Sequence, residues 1–443
     1  MQAKDPDACA DQDCEDRRGR AEQSEWAQAR ARHRRAVVIA QRREARARIK
    51  EVMSGEQLQQ YGQSSICTTA PPVFESSEAE YIRETQSRSW RYYAMFECGN
   101  TGEEARVCMT FKQHVNSGLI WTMNSSDGLH FAESVHRRSR VQRLSDIAQL
   151  AVPSETTWHH KLFAHNLAIL RLEGGGYAML GGMQGFVTGA NRSQTAEDLR
   201  FGIRLTRGQR WPWTTHGWSR PSLVLHGTDP PRCIDRRPEF TGYPNLLACE
   251  FDGRLSVARF KGNYRIFARA NLKMHAAVGG RFVQTSWSLG LERGWAPWEL
   301  IRFRGLPHTA VDLYFFAVEV NPVDPATLLA LFPISQPPHA CIGLAFSRNG
   351  VDFTRPVNLR LARGGWRTSN ANGTGPIEWR SEDHPAAGVI IRNDFVWFYI
   401  HVAVVGTSLR AGMRNESALV RHRMRRSTLV ELTEQSFRSQ SLP

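Results

Sequence analysis

The sequence has no CxxC pair and no uninterrupted apolar run of about 18 residues, the length a membrane-crossing helix needs. It also has no P-loop, HExxH or GxSxG motif, and no GxGxxG placed between a strand and a helix. These absences remove the common zinc-ribbon, nucleotide-binding, metalloprotease and α/β-hydrolase readings, and with them any cofactor or metal site built on such motifs. Eight cysteines in 443 residues are too few for a disulfide-dense scaffold. The acidic opening "KDPDACADQDCED" and the short apolar patch Ala36–Ala40 do not make a signal-peptide core. Four N-x-S/T sequons, at Asn124, Asn191, Asn372 and Asn415, permit glycosylation in a secretory route, and the compartment stays open.

Apolar material is plentiful. Hydrophobic residues make up 41%, with 13 Trp, 21 Phe and 9 Tyr. The net charge of +14 raises the question of nucleic acid, but its distribution argues against it. Residues 28–50 carry nine Lys/Arg against the single acid Glu44, and the remaining excess is scattered Arg without Lys-rich clusters. Residues 1–65 are poor in Gly and aromatics and read as a basic helical, partly disordered extension. Its thin apolar stripe (Trp26, Val37, Val38, Ile49, Val52, Met53) is too narrow for a domain and suits docking on a protein partner.

From about residue 90 the texture changes to short aromatic and β-branched runs bounded by Gly, Pro, Asn and Asp. No long amphipathic helix is expected between 160 and 440. Five strand groups are expected, at roughly 90–135, 160–226, 245–302, 311–358 and 385–433, each of a size suited to a four-stranded propeller blade. "SSDGLHF" (125–131) and "SRNGVDF" (347–353) share one Ser-x-Asp/Asn-Gly-x-x-Phe pattern, and "TSWSLGLERGWAPWELI" is a degenerate third copy. Asp-Gly or Asn-Gly makes a tight turn in which Gly supplies the positive φ. The Ser bonds across that turn, and the aromatic three past the Gly plugs the space between sheets. Two tandem β-sandwiches would explain the strands but not this repeated turn. The expected fold is therefore all-β: a five-bladed β-propeller over 66–443 behind the N-terminal helical extension.

With these turns, five blades and acids opening the inner strands, the sequence resembles the five-bladed propeller glycosidases of families 32 and 43 and their relatives. "FAHNLAILRLEGGGYAMLGG" is similar to one blade opening of that group, and "CEFDGRLSVARFKGNYRIFARANL" to the next, where an acid precedes an apolar strand. A six-bladed sialidase is second, since here Asp and Gly are adjacent and no Arg triad follows from spacing. The resemblance implies a carbohydrate partner and a carboxylate pair at the channel mouth. Glycoside hydrolysis needs one ionised and one protonated carboxyl group, roughly 5 Å apart for retention and 6.5–9.5 Å for inversion. The candidate pair is Asp252 with Asp312 or Glu250. His165, Asn166 and His401 would orient the ligand, while Arg254 and Arg269 would hold the carboxylates ionised or contact hydroxyls. Glu319, deeper in its strand, reads as an Arg partner.

Each residue also has a plainer reading: an acid at a strand start serves turns and edges, and a His inside an aromatic strand serves a core. Where the glycosidases open an early blade with Asp, this chain has His165-Asn166, and Asn is neither base nor nucleophile. A catalytically silent propeller that binds glycans, or one that binds proteins, is the alternative function.

Overall fold

The computed structural model describes residues 65–86, 90–99, 105–112, 120–131, 142–143, 167–173, 175–182, 202–208, 219, 222–226, 251, 255–271, 281–306, 311–368, 377–404 and 416–439. The expected basic helix of the extension lies outside them. The chain divides into two compact units, 1–55 with 368–377 and 56–367 with 378–443, and the blades belong to the second.

Alternation of aromatic and β-branched residues gives short antiparallel strands throughout. After helix α1 (Ile66–Thr69) comes β1 (Glu80–Tyr81), followed by blade 1, with β2 (Arg91–Cys98), β3 (Arg106–Lys112), β4 (Ile120–Ser125) and β5 (Gln142–Arg143). Blade 2 holds β6 (Ala168–Arg171), β7 (Tyr177–Gly182), β8 (Gly202–Gly208) and β9 (Ser222–His226). Blade 3 holds β10 (Ser256–Phe260), β11 (Asn263–Asn271), β12 (Arg281–Ser288) and β13 (Glu299–Leu300). Blade 4 begins with β15 (Ala317–Val320) and continues through β16 (Leu328–Gln336), β17 (His339–Ser347), β18 (Asp352–Phe353) and β19 (Val357–Leu361). The short β14 (Arg302–Phe303) joins it, parallel to β18. After the pair β20 (Gly364–Thr368) and β21 (Ile377–Ser381), blade 5 holds β22 (His384–Pro385), β23 (Ile390–Arg392), β24 (Phe395–Val402) and β25 (Ala418–Arg425).

Five such sheets make a five-bladed β-propeller. The first strand of each blade is the inner one, in blade 5 the two short strands β22 and β23 that both pair with β24: β2 touches β6, β6 touches β10, β10 touches β15, and β23 touches β2. β16 of blade 4 touches β22 of blade 5. β1 closes the ring by pairing with β25, Glu80 opposite Arg421 and Tyr81 opposite Val420, so the outermost strand of the last blade comes from the start of the propeller. Two residues carry no periodicity, and the sequence reading assigned them no role.

The core lies between blades. Tyr93, Met109 and Phe111 of blade 1 meet Ile390, Tyr399 and Leu419 of blade 5. Leu180 and Ile203 of blade 2 meet Ile266 and Ala268 of blade 3. Two further clusters join blades 3 and 4, and 4 and 5.

The repeated turn supplies the plugs. In its first copy Ser125 Oγ donates to Asp127 Oδ1 (2.8 Å) and accepts from Gly128 N (2.9 Å), while Asp127 Oδ1 takes the amides of Leu129 and His130. Ser347, Asn349 and Gly350 repeat the pattern, with Asn349 Oδ1 taking the amides of Val351 and Asp352. In the degenerate copy Gly290 N donates to Ser288 Oγ at 3.2 Å. Phe131, Phe353 and Trp298 are buried in the clusters between blades 1 and 5, 3 and 4, and 2 and 3.

One expectation is corrected. Residues 426–438 form helix α2, where no long helix was expected and where the fifth strand group was taken to run to 433. Leu429 is buried and Leu432 and Phe437 pack against the cluster between blades 4 and 5, an apolar stripe at helical spacing that Thr433 and Ser436 interrupt. Thr433 is held by the Leu429 carbonyl and by Asn321. Two disulfides, Cys67–Cys341 and Cys98–Cys108, are formed among the described residues.

Candidate functional site

All five inner strands begin at the same end of the central channel. Ala94 of β2 and Ala387, between β22 and β23, form a parallel bridge that fixes the level of these two blades. At the starting end, a polar group gathers around Tyr314, in the extended run that leads into β15.

Asp312, two residues earlier, is wholly buried. Its Oδ1 accepts from the Arg281 amide at 2.9 Å, and its Oδ2 lies 3.7 Å from the Arg281 guanidinium. Arg281 opens β12 of blade 3, so this contact joins two blades. The Tyr314 ring has three guanidinium groups near it: Arg380 at 4.9 Å, Arg281 at 5.4 Å and Arg269 at 5.5 Å from the ring centroid. A π face favours cations at these distances.

Tyr314 Oη is 3.4 Å from Tyr92 Oη, on β2. Tyr92 has φ +60°, and the β2–β3 register shifts between Arg91 and Ala94. Such a bulge re-aims a side chain, and a left-handed aromatic residue is strained.

His384 opens the inner part of blade 5. It stacks on Phe315 at 5.8 Å and lies 5.2 Å from the Tyr314 ring. Burial pushes its pKa down to about 3, and the Arg91 charge adds to the fall. His401 sits opposite His384 on β24, shares a 2.9 Å hydrogen bond between Nε2 and Ser417 Oγ, and meets the edge of Tyr93. Burial, then His384 and Arg91, hold it well below the usual imidazole range. Both imidazoles are neutral at pH 7.

Of the residues singled out from the sequence, Asp312 and Arg269 are thus brought around one phenol, linked through Arg281. His401 stands one strand back, behind His384. Glu250, Asp252, Arg254, His165 and Asn166 lie outside the described residues. Their neighbours Phe251, Leu255 and Val257 are buried, but so are Ser256 and Ala258, so the described part of that strand does not alternate between a buried and an open face.

Further along the channel, a cavity of about 360 Å³ is lined from the inner strands of all five blades. Its acids are Glu97 and Glu319. Glu97 pairs with Arg392, while Glu319 Oε1 accepts the Val389 amide at 2.6 Å. A second cavity, of about 610 Å³, lies among outer elements of blades 4 and 5. It is walled by a buried ion pair, Arg360 to Asp383 at 2.7 Å, and by the Arg363–Glu416 pair.

No family model matches the chain, and no curated protein matches it. Among solved structures it is similar to Zg3597, a family 117 glycoside hydrolase of the marine bacterium Zobellia galactanivorans, at 11% identity over 80% of this chain and 88% of that one, TM-score 0.40. It is also similar to β-1,2-mannobiose phosphorylase from Listeria innocua (9% identity, 83% and 96% covered, TM-score 0.40). A third is the α-L-arabinanase of Cellvibrio cellulosa (11%, 57% and 72%, TM-score 0.33). The five blades stand on this chain's own sheets.

Sequence reasoning missed Tyr314, Arg281, Arg380, Tyr92 and His384. Each has a signal with a stronger competing meaning: an aromatic in a strand reads as core, and an Arg in a strand reads as surface. One sign was available for Tyr314, which lies on the same face of the chain as Asp312 two residues away.

Proposed function

We propose that this propeller handles carbohydrate at the mouth where its inner strands begin, as a glycoside hydrolase-like enzyme using Asp252 with Asp312 or Glu250. The observation that carries the reading is the gathering of Asp312, Arg281, Arg269 and the two tyrosines there, with side chains from three blades. Two half-buried phenols offer apolar faces to a sugar ring, and guanidinium groups suit its hydroxyls. The likeness of the blade openings to the propeller glycosidases supports the same assignment. In this scheme Asp312 is the carboxylate held by Arg281, and Asp252 or Glu250 exchanges the proton with the glycosidic oxygen.

One observation favours a second reading, a propeller that binds glycans without cleaving them. Asp312 is fully covered and engaged by Arg281, the environment of a charge that organises its neighbours. The sequence adds Asn166 where an acid would be wanted. Assaying a panel of aryl glycosides with the unmodified protein and with Asp252→Asn separates the two. Hydrolysis abolished by the substitution supports the enzyme. Glycan binding with no hydrolysis by either form overturns it. A protein-docking role for residues 1–65 is proposed separately: their deletion should abolish partner capture and leave sugar binding intact.

A further inference from the structure

We propose that the cavity of about 610 Å³ among the outer elements of blades 4 and 5 is a second saccharide-binding pocket. It takes the apolar face of a neutral sugar ring on Tyr81 and the hydroxyls on the Arg360–Asp383 and Arg363–Glu416 pairs. The pocket is separate from the channel mouth, and its ligand class follows from its own residues.

Strand directions place it on the same end of the propeller as the mouth. β15 starts at that end and the antiparallel β16 runs back to it, so the turn between β16 and β17 lies there. β19 finishes beside the start of β17, with Leu361 opposite Cys341. Val402 follows His401, which pairs with His384 at the start of blade 5. Asp383 lines the cavity, while His384, one residue on, packs against Tyr314. A carbohydrate chain lying across this face would meet both the pocket and the mouth. The volume falls in the range of small-ligand sites, about 300–1,000 Å³.

Two surfaces of different character meet in the cavity. Five large apolar side chains are exposed among the described residues, and two of them, Tyr81 and Leu361, line this one cavity. The backbone of Tyr81 is held by pairing with Val420, so its half-exposed ring is presented from a fixed strand. An open phenol ring offers an apolar face to the C–H side of a sugar and a polar tip to water. Across from it, Arg360 is 7% exposed and holds Asp383 at 2.7 Å. Its bonds to Asp383 Oδ2 and to the Leu361 carbonyl are both made by Nη1, and Nε is buried without a partner among the described residues. A guanidinium has five donors, so this one keeps capacity for a ligand oxygen. Arg363 and Glu416 add a second pair, more open to solvent than the first.

The pairing selects the ligand. A guanidinium only donates and a carboxylate only accepts, whereas a hydroxyl does both and can bridge the two. A free anion at this wall meets Asp383 and Glu416 at close range, and a free cation meets Arg360 and Arg363. A neutral polyol with one apolar face meets neither conflict.

The test is a printed array of tetrasaccharides: β-1,4-linked glucose, xylose, mannose and galactose, α-1,5-linked arabinose, and galacturonate as the charged control. The full chain is compared with Tyr81→Ala, Arg363→Gln and the mouth variant Tyr314→Ala, and bound tetramers are titrated by calorimetry. Tyr81 and Arg363 are exposed enough that their substitution should leave the thermal midpoint unchanged. The expected result is at least one neutral tetramer whose affinity falls about tenfold with Tyr81→Ala and with Arg363→Gln. That tetramer should remain bound by Tyr314→Ala. Neutral tetramers that bind but ignore both pocket substitutions, and depend on Tyr314 alone, overturn the inference and leave the carbohydrate reading of the mouth standing. Dependence on Tyr81 and Arg363 for the galacturonate tetramer alone also overturns it, since the pocket is then an anion site. Failure of the unmodified chain to bind any tetramer overturns the pocket and the carbohydrate reading together.

Discussion

Tyr399 Oη donates a 3.0 Å hydrogen bond to the carbonyl of Gly128, tying the Ser125–Gly128 turn of blade 1 to the second strand of blade 5. Gly128 has φ +69°, and a Cβ there would lie 2.5 Å from Tyr399 Oη and 2.6 Å from the Trp397 ring. Gly128→Ala should therefore cost about 2–4 kcal/mol, from left-handed strain and overpacking together. Tyr399→Phe, which loses this hydrogen bond and the hydroxyl's hydrogen bond with Arg421, should cost about 1–2 kcal/mol. Urea denaturation of both variants checks the order, and a harmless Gly128→Ala would contradict this packing.

Three buried histidines predict acid sensitivity. Their folded pKa values lie below the unfolded value of about 6.5: about 3 for His384, about 4 for His422, and well below for His401. The unfolded chain thus binds more protons, and stability rises with pH across this window. The stabilisation is complete above about pH 6.5. It is lost as pH falls, at up to about 1.4 kcal/mol per unit for each histidine, until His422 protonates near pH 4 and His384 near pH 3. Chemical denaturation between pH 7.5 and 4.5 should show this slope, and His422→Phe, whose ring stacks on Phe74, should reduce it.

The two disulfides should differ in weight. Cys67–Cys341 closes a separation of 274 residues and Cys98–Cys108 one of 10. On chain entropy alone their removal should cost about 5.6 and about 2.7 kcal/mol. Thermal midpoints of the two double alanine variants test the ranking.

Asp383→Ala should cost about 3–5 kcal/mol, because it strands the buried Arg360 charge. Arg360→Met combined with Asp383→Leu should recover much of that. Recovery stays incomplete because Asp383 Oδ1 also holds the amide of Ala403, which has φ +50°. Denaturation midpoints of the single and double variants measure both effects.

The blades were legible in the sequence because short apolar strand runs recur in all five, and in blades 1 and 4 (degenerately in blade 3) a Ser-x-Asp/Asn-Gly turn closes them with short-range hydrogen bonds. The closing strand Glu80–Tyr81 was not, since its identity depends on a partner in the last blade. Helix α2 carried a readable stripe in Leu429, Leu432 and Phe437, which the reading of the fifth strand group to 433 passed over. Of the cluster around Tyr314, the sequence singled out Asp312, in the run before β15, and Arg269, on β11. The meeting of Arg281, Arg380 and Tyr92 around Tyr314 was illegible, because these come from three different sheets and meet only when the ring is closed. The left-handed Tyr92 had no signal, since bulky residues adopt that conformation only under tertiary constraint.

The pairing of β1 with β25 also sets the order in which the molecule can be completed. Arg421 binds Glu80 across a separation of 341 residues. During synthesis at about 5–20 residues per second, Glu80 waits tens of seconds for its partner. Until then the earlier blades form an open arc whose first and last sheets each present a bare flank. The final blade acts as a clasp, and a chain truncated before β25 would leave β1 without its partner and the outer edge of β24 bare, an edge suited to pairing with a strand of another copy.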